Sequence, residues 1–91
     1  MGFAVQQIQP TPNPNAIKFI LDRSISEQPA SFLHAQAAKA NRLAAELFAI
    51  PGVSGLLLLG DFVTVNKSPQ ASWKQITSQV RRVLSEAEEP S

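Results

Sequence analysis

The sequence predicts an α+β fold, a two-layer sandwich in which a mainly antiparallel sheet carries two helices on one face. Three observations lead there. Strand-like and helix-like stretches follow one another in the order β-β-(β)-α-β-β-α. The strands come as hairpins set apart by helices, with no repeated βαβ unit, so a parallel sheet is not expected. Hydrophobic residues make up 44% of the chain and charged residues 16%, the composition of a packed domain and not of a disordered one.

The elements are justified in turn. Phe3 to Gln9 alternates loosely through Phe3, Val5 and Ile8 and predicts a first strand. Pro10 to Asn15 follows, Pro-Thr-Pro-Asn-Pro-Asn. Its prolines fix φ near about −65°, remove backbone donors and push each preceding residue to extended geometry. This is a stiff, exposed link whose Asn side chains can bond back to the backbone and close a turn. Ala16 to Leu21 is β-branched and aromatic, a second strand expected to pair with the first. Asp22 to Pro29 is polar and reads as a loop. Ala30 to Ala35 reads as a short third strand, the bracketed one of the order, with Phe32 as its buried residue.

Asn41 is a suitable N-cap for a first helix, on which Leu43, Ala44, Leu47 and Phe48 share one face. Pro51-Gly52 stops it. Val53 to Leu59 is apolar enough for a central strand. Gly60-Asp61 supplies a two-residue hairpin turn, in the reverse of the favoured Asp-Gly order, and Phe62 to Asn66 returns. Alternation puts Phe62, Thr64 and Asn66 on one sheet face, and Val63, Val65 and Lys67 on the other, against the helices. Ser68 as cap with Pro69 at the first helical position predicts the start of the last helix, and Ser72 with Gln75 offers a competing start one turn later. Trp73, Ile76, Val80, Val83 and Leu84 then form one apolar stripe, which places Trp73 in the core. Residues 1–91 make one small domain, with about 86–91 as a frayed tail.

Several function classes are excluded at this level. Eight basic residues stand against seven acidic ones, and the one tight basic pair, Arg81-Arg82, reads as a solvated helix face, so no nucleic acid is expected. The longest apolar run, Val53 to Leu59, is too short to span a bilayer, and the N-terminus has neither a basic nor an apolar signal region. The expectation is a cytoplasmic chain without membrane contact. There is no cysteine, hence no disulfide, thiolate metal site or cysteine nucleophile. His34 is the single histidine and makes no metal site alone. No Gly-x-Ser-x-Gly elbow, Gly-rich phosphate loop or paired carboxylate constellation is present. No cofactor and no catalytic activity are expected.

Three blocks carry a resemblance. They are Thr11-Pro12-Asn13-Pro14-Asn15-Ala16-Ile17-Lys18-Phe19; Leu43-Ala44 and Leu47-Phe48 followed by Ile50-Pro51-Gly52-Val53; and Gly60-Asp61-Phe62-Val63-Thr64-Val65-Asn66-Lys67 ahead of Trp73. In this order and spacing, over about residues 5–84, the chain resembles the N-terminal domain of the Nfu/NifU iron–sulfur scaffold proteins. Segment 22–40 matches that family poorly, and Asn41-Arg42 stands where many relatives have Ser-Pro. The family's scaffolds continue into a Cys-x-x-Cys domain that ligates the cluster, while this sequence stops at Ser91. What the resemblance implies is an accessory, partner-binding role near iron–sulfur cluster assembly, with a scaffold, carrier or recipient protein as partner. The alternative is a small structural or regulatory module that self-associates as a homodimer by edge-strand pairing.

The candidate partner-binding residues come from these blocks: Asn13, Asn15 and Lys18 from the first, and Asp61, Phe62, Thr64 and Lys67 from the third. Each has a structural reading beside the functional one. The Asn residues suit a turn, but on a stiff exposed loop they also present amides at low entropic cost. Phe62 and Thr64 suit a strand, but a sheet covered on one side leaves them a face to offer.

Overall fold

The computed structural model describes residues 2–33, 36, 39 and 41–86. Strands β1 (Val5–Pro10), β2 (Ala16–Leu21), β3 (Ser26–Phe32), β4 (Val53–Gly60) and β5 (Phe62–Lys67) accompany helices α1 (Arg42–Phe48) and α2 (Trp73–Glu86). The strands form one antiparallel sheet in the order β1-β2-β5-β4-β3. The two expected hairpins, β1–β2 and β4–β5, are laid side by side, so β5 is the middle strand. Val53 to Leu59, read as central, lies one place off the middle, between β5 and the edge strand β3.

Register explains the core. One row of paired residues runs Ile8, Phe19, Val63, Leu58 and Ala30 across all five strands, and the next runs Pro10, Ile17, Val65, Leu56 and Phe32. Paired residues of antiparallel strands point to the same side, so these rows form one face. Phe19, Leu21, Leu56, Leu58, Val63 and Val65 from that face share a buried cluster with Ala44, Leu47 and Ile50 of the α1 region and Ile76, Val80 and Leu84 of α2. Both helices therefore cover the same side of the sheet. Phe3, before β1, completes the cluster, and its N–H donates to Leu84 O at 2.7 Å, satisfying a carbonyl near the end of α2.

Local signals account for most boundaries. Asn41 caps α1 as expected, its Oδ1 accepting from Ala44 N–H at 3.1 Å. Asn41→Ala should cost about 1 kcal/mol of stability while Asn41→Asp costs far less, measured as a shift in the urea midpoint. Gly60 has φ 56 and no residue other than glycine has positive φ among those described. Positive φ at the first turn position and not the second is the type II′ pattern. Glycine must then come first, which is why the order is Gly-Asp.

Three boundaries differ from expectation. The third strand begins at Ser26, inside the stretch read as loop, and ends at Phe32. Its pairing jumps from Ser26↔Gly60 to Ala30↔Leu58, and the irregularity accommodates Pro29 on an edge strand, where a missing N–H costs nothing. Phe32 is half-buried and packs against the cluster rather than inside it. The last helix starts at Trp73, the competing start one turn later that Ser72 offered, and not after Ser68; Ser72 O accepts Ile76 N–H at 3.1 Å. Ser68 N–H is already bonded to Gly52 O at 2.8 Å, and Ser68 O closes a turn with Ala71 N–H at 3.0 Å, so the Ser-Pro pair is spent on a turn. β1 starts at Val5 and runs through Pro10, while Phe3 precedes it in the core. His34, Ala35 and residues 87–91 of the expected tail lie outside the described residues; Glu86 is the last residue of α2.

Candidate functional site

The Pro-Asn link is held by its own polar side chains. Thr11 Oγ1 lies 2.9 Å from both Asn13 O and Ala16 O and accepts from Asn13 N–H at 3.1 Å. Asn13 Oδ1 accepts Asn15 N–H at 2.9 Å, an Asx turn. Asn13 O accepts Ala16 N–H at 3.0 Å. The two Asn residues therefore do different work. Asn13 is exposed at the tip, and its side-chain NH2 makes no hydrogen bond among the described residues. Asn15 is half-buried and turned inward.

Asn15 is turned inward because Lys67 is there. Lys67 Nζ donates to Asn15 Oδ1 at 3.1 Å and approaches Ser68 O at 3.3 Å and Pro69 O at 3.5 Å. It also lies 5.6 Å from the centre of the Trp73 ring. Trp73 in turn donates its indole N–H to Pro14 O at 3.1 Å, across 59 residues of sequence. The stripe reading of Trp73 as core is half the account: the ring packs against the cluster while its N–H clamps the loop to α2. Trp73→Phe keeps most of the packing and loses the clamp, so it should cost about 1 kcal/mol. Circular dichroism during urea denaturation measures it, because this is the only tryptophan and its fluorescence goes with it.

The second surface is the side of the sheet that neither described helix covers. Its rows run Gln7, Ile20, Phe62 and Leu59, then Gln9, Lys18, Thr64, Leu57 and Ser31. Ile20, Leu57, Leu59 and Phe62 are half-buried apolar residues that do not pack against the buried cluster. Phe62 and Thr64 lie on this face, as the alternation predicted, and Lys67 on the other. Lys18 Nζ sits 4.2 Å from the centre of the Phe62 ring, a cation–π contact.

The seven candidate residues thus fall into separate places. Asn13, Asn15 and Lys67 meet at the loop end, and Lys18, Phe62 and Thr64 meet on the open face. Asp61 is exposed in the β4–β5 turn, where its carbonyl accepts Leu21 N–H at 2.7 Å, at the other end of β5 from Lys67. A six-residue strand of ~20 Å separates them. Ile20, Leu57 and Leu59 belong to the same face but were not singled out from the sequence; strand parity alone contained the signal. Among the described residues no group of three metal-ligating side chains occurs. Asp22 is turned toward the N-terminal strand, accepting Ala4 N–H at 3.0 Å, and makes no acid/base pair with Asp61. No helix among the described residues is long and apolar enough to cross a membrane.

Comparison with known proteins agrees with this geometry. The family described as scaffold protein Nfu/NifU N terminal matches residues 5–90. A protein of Drosophila simulans named NFU1 iron-sulfur cluster scaffold homolog, mitochondrial, is 35% identical over 80 residues, covering 86% of this chain and 28% of that protein. The uncharacterized protein YpgR of Bacillus subtilis is 35% identical over 78 residues, 85% of this chain and 21% of YpgR. The chain thus spans about a quarter of the length of these relatives. The solution structure of a NifU-like protein from Saccharomyces cerevisiae matches with TM-score 0.78 at 24% identity, over 90% of this chain and 76% of that one. At that identity the likeness is one of fold. The crystal structure of Staphylococcus aureus protein SAV1430 matches with TM-score 0.73 at 21% identity, over 88% of this chain and 96% of that one.

Proposed function

The chain belongs to the Nfu/NifU N-terminal domain family, and on that premise we propose that it is a non-catalytic protein-interaction domain serving iron–sulfur cluster assembly. It binds a scaffold, carrier or recipient protein and does not hold the cluster. The observation that carries this reading is that, among the described residues, both helices cover the same side of the sheet and none covers the other. Ile20, Leu57, Leu59 and Phe62 lie together on the open face, detached from the core, and contiguous apolar residues of that kind mark binding surfaces. The Pro-Asn loop is the second contact, with Asn13 outermost and Asn15, Lys67 and Trp73 holding it in shape.

Composition supports the division of labour. A sequence without cysteine offers no thiolate, so in these 91 residues the work falls to surfaces. We place the domain in a reducing compartment, the cytoplasm, although the Drosophila relative carries a mitochondrial name. The homodimer by edge pairing is the weaker reading. β1 has a register irregularity between Val5 and Gln7, and β3 has another between Ser26 and Ala30 that contains Pro29, so neither edge is a regular ladder.

The test is recovery of a purified cysteine-bearing iron–sulfur scaffold on the immobilised chain. Wild type should retain it, Phe62→Asp should lose it, and Asn13→Ala with Asn15→Ala should retain less. Equal recovery by both variants with folding intact would remove both surfaces from the proposal. Failure of wild type with scaffold, carrier and recipient proteins alike would remove the proposal itself.

A further inference from the structure

We propose that the open face of the sheet takes one amphipathic helix of the partner, and that the apolar stripe of this helix carries a single carboxylate that meets Lys18. The inference rests on the reading above and specifies the chemistry of the partner.

Charge comes first. At the register-paired positions of this face the side chains are Gln7, Gln9, Lys18, Ile20, Ser31, Leu57, Leu59, Phe62 and Thr64, with Asn66 beyond them. Lys18 is the one ionic group. It makes no hydrogen bond or ion pair among the described residues, and its ammonium is held over the Phe62 ring at 4.2 Å. The cation is therefore drawn onto the apolar patch rather than out into water. A purely apolar cover would desolvate it without compensation. A cover bearing a carboxylate at that point compensates it with a charge-assisted hydrogen bond. A second copy of this chain, placed face to face, brings another Lys18 and, at the register-paired positions, no carboxylate, so like charges meet in a drying interface.

Shape comes second. Ile20 and Lys18 on β2, Phe62 and Thr64 on β5, and Leu59 and Leu57 on β4 occupy three adjacent strands. Three strands span ~10 Å, the width of one α-helix with side chains. Along the strands, Leu57 to Leu59 covers ~7 Å, a little over one helical turn of ~5.4 Å. Residues at i, i+3 and i+4 of one helix fit that patch, and Gln7, Gln9 and Ser31 supply a polar rim. An added strand would need a regular edge, and the irregularities in β1 and β3 remove it. A helix on this face completes a three-layer arrangement with the sheet in the middle.

The test uses phage-displayed 18-residue amphipathic helices with a leucine stripe and one randomised stripe position, selected on the whole chain. Asp and Glu should dominate that position. The selected acidic peptide, synthesised with a fluorescent label, should bind Lys18→Glu at least about tenfold more weakly by anisotropy. The same variant should in turn prefer the peptide with Lys at that position. Lys74→Glu, an exposed charge reversal on α2, should leave binding unchanged. Phe62→Asp should abolish binding, and because Lys18 is a surface residue the charge swap stays informative even if Phe62→Asp fails to fold. Binders with no acidic bias, binding insensitive to Lys18→Glu, or a dimer by light scattering that Phe62→Asp dissociates would each overturn the inference. Absence of any selected binder would do the same. Binders kept by Lys18→Glu but lost with Asn13→Ala and Asn15→Ala would remove the helix and leave the interaction-domain reading standing on the loop.

Discussion

Gly52→Ala is expected to lower stability by about 2–5 kcal/mol, although it adds one methyl group. Two costs combine. Gly52 has φ 96, a conformation that residues with a Cβ rarely adopt, worth about 1–3 kcal/mol. A Cβ built there meets Ala71 Cβ at 2.6 Å and Ile76 Cδ1 at 3.3 Å, so the packed turn ahead of α2 must shift, about 1–3 kcal/mol more. The turn cannot yield easily, since Gly52 O holds Ser68 N–H and Ser68 O holds Ala71 N–H. Gly60→Ala is the matched control. There φ is 56 and no heavy atom lies within 4 Å of the added Cβ, so only backbone strain of about 1–2 kcal/mol remains. Alanine also narrows the unfolded ensemble at both sites, offsetting under about 1 kcal/mol in each. Urea denaturation of the two variants in parallel measures the difference; equal midpoints would mean that the contact with Ala71 contributes nothing.

The features legible in the sequence are those decided within a few residues. Ala16 to Leu21 is a strand with the expected bounds because its own β-branched and aromatic residues determine it. Asn41 caps the helix because its carboxamide reaches an amide three residues on. Parity placed Val63 and Val65 inside and Phe62 and Thr64 outside, since period two admits no other arrangement once one face is buried. What was illegible depended on partners far along the chain. Ser26 to Pro29 has poor strand propensity and becomes a strand because β4 offers it an edge. Ser68-Pro69 has the local chemistry of a helix start, yet Gly52 had already engaged the backbone of Ser68. The site shows the same division. Its residue types were visible, but the contacts that define it, Trp73 with Pro14 and Lys18 with Phe62, cross 59 residues in one case and a strand pairing in the other. Asp61 stood in the same motif as Lys67, and only the direction of β5 shows that they lie at opposite ends.

Phe19→Ala and Phe62→Ala should separate stability from binding. The two rings come from neighbouring strands, Phe19 opposite Val63 and Phe62 opposite Ile20, and they point to opposite sides of the sheet. Phe19 is fully buried beneath both helices. Its truncation should cost about 3–5 kcal/mol, against a total stability of about 5–14 kcal/mol for a chain of this length. A large fraction of the protein's stability goes with that one side chain, and thermal melting should fall by tens of degrees or lose its cooperativity. Phe62 is half-buried and outside the core cluster, so its truncation should cost only about 1 kcal/mol. It nevertheless removes the ring over which Lys18 sits and the centre of the apolar row between Ile20 and Leu59, so scaffold recovery should drop at least about tenfold. Phe19→Ala, assayed at a temperature where it remains folded, should keep its affinity, because nothing on the open face has changed. If Phe62→Ala destabilised the chain as strongly as Phe19→Ala, the open face would be a second core that something already covers, and its availability to a partner would be refuted.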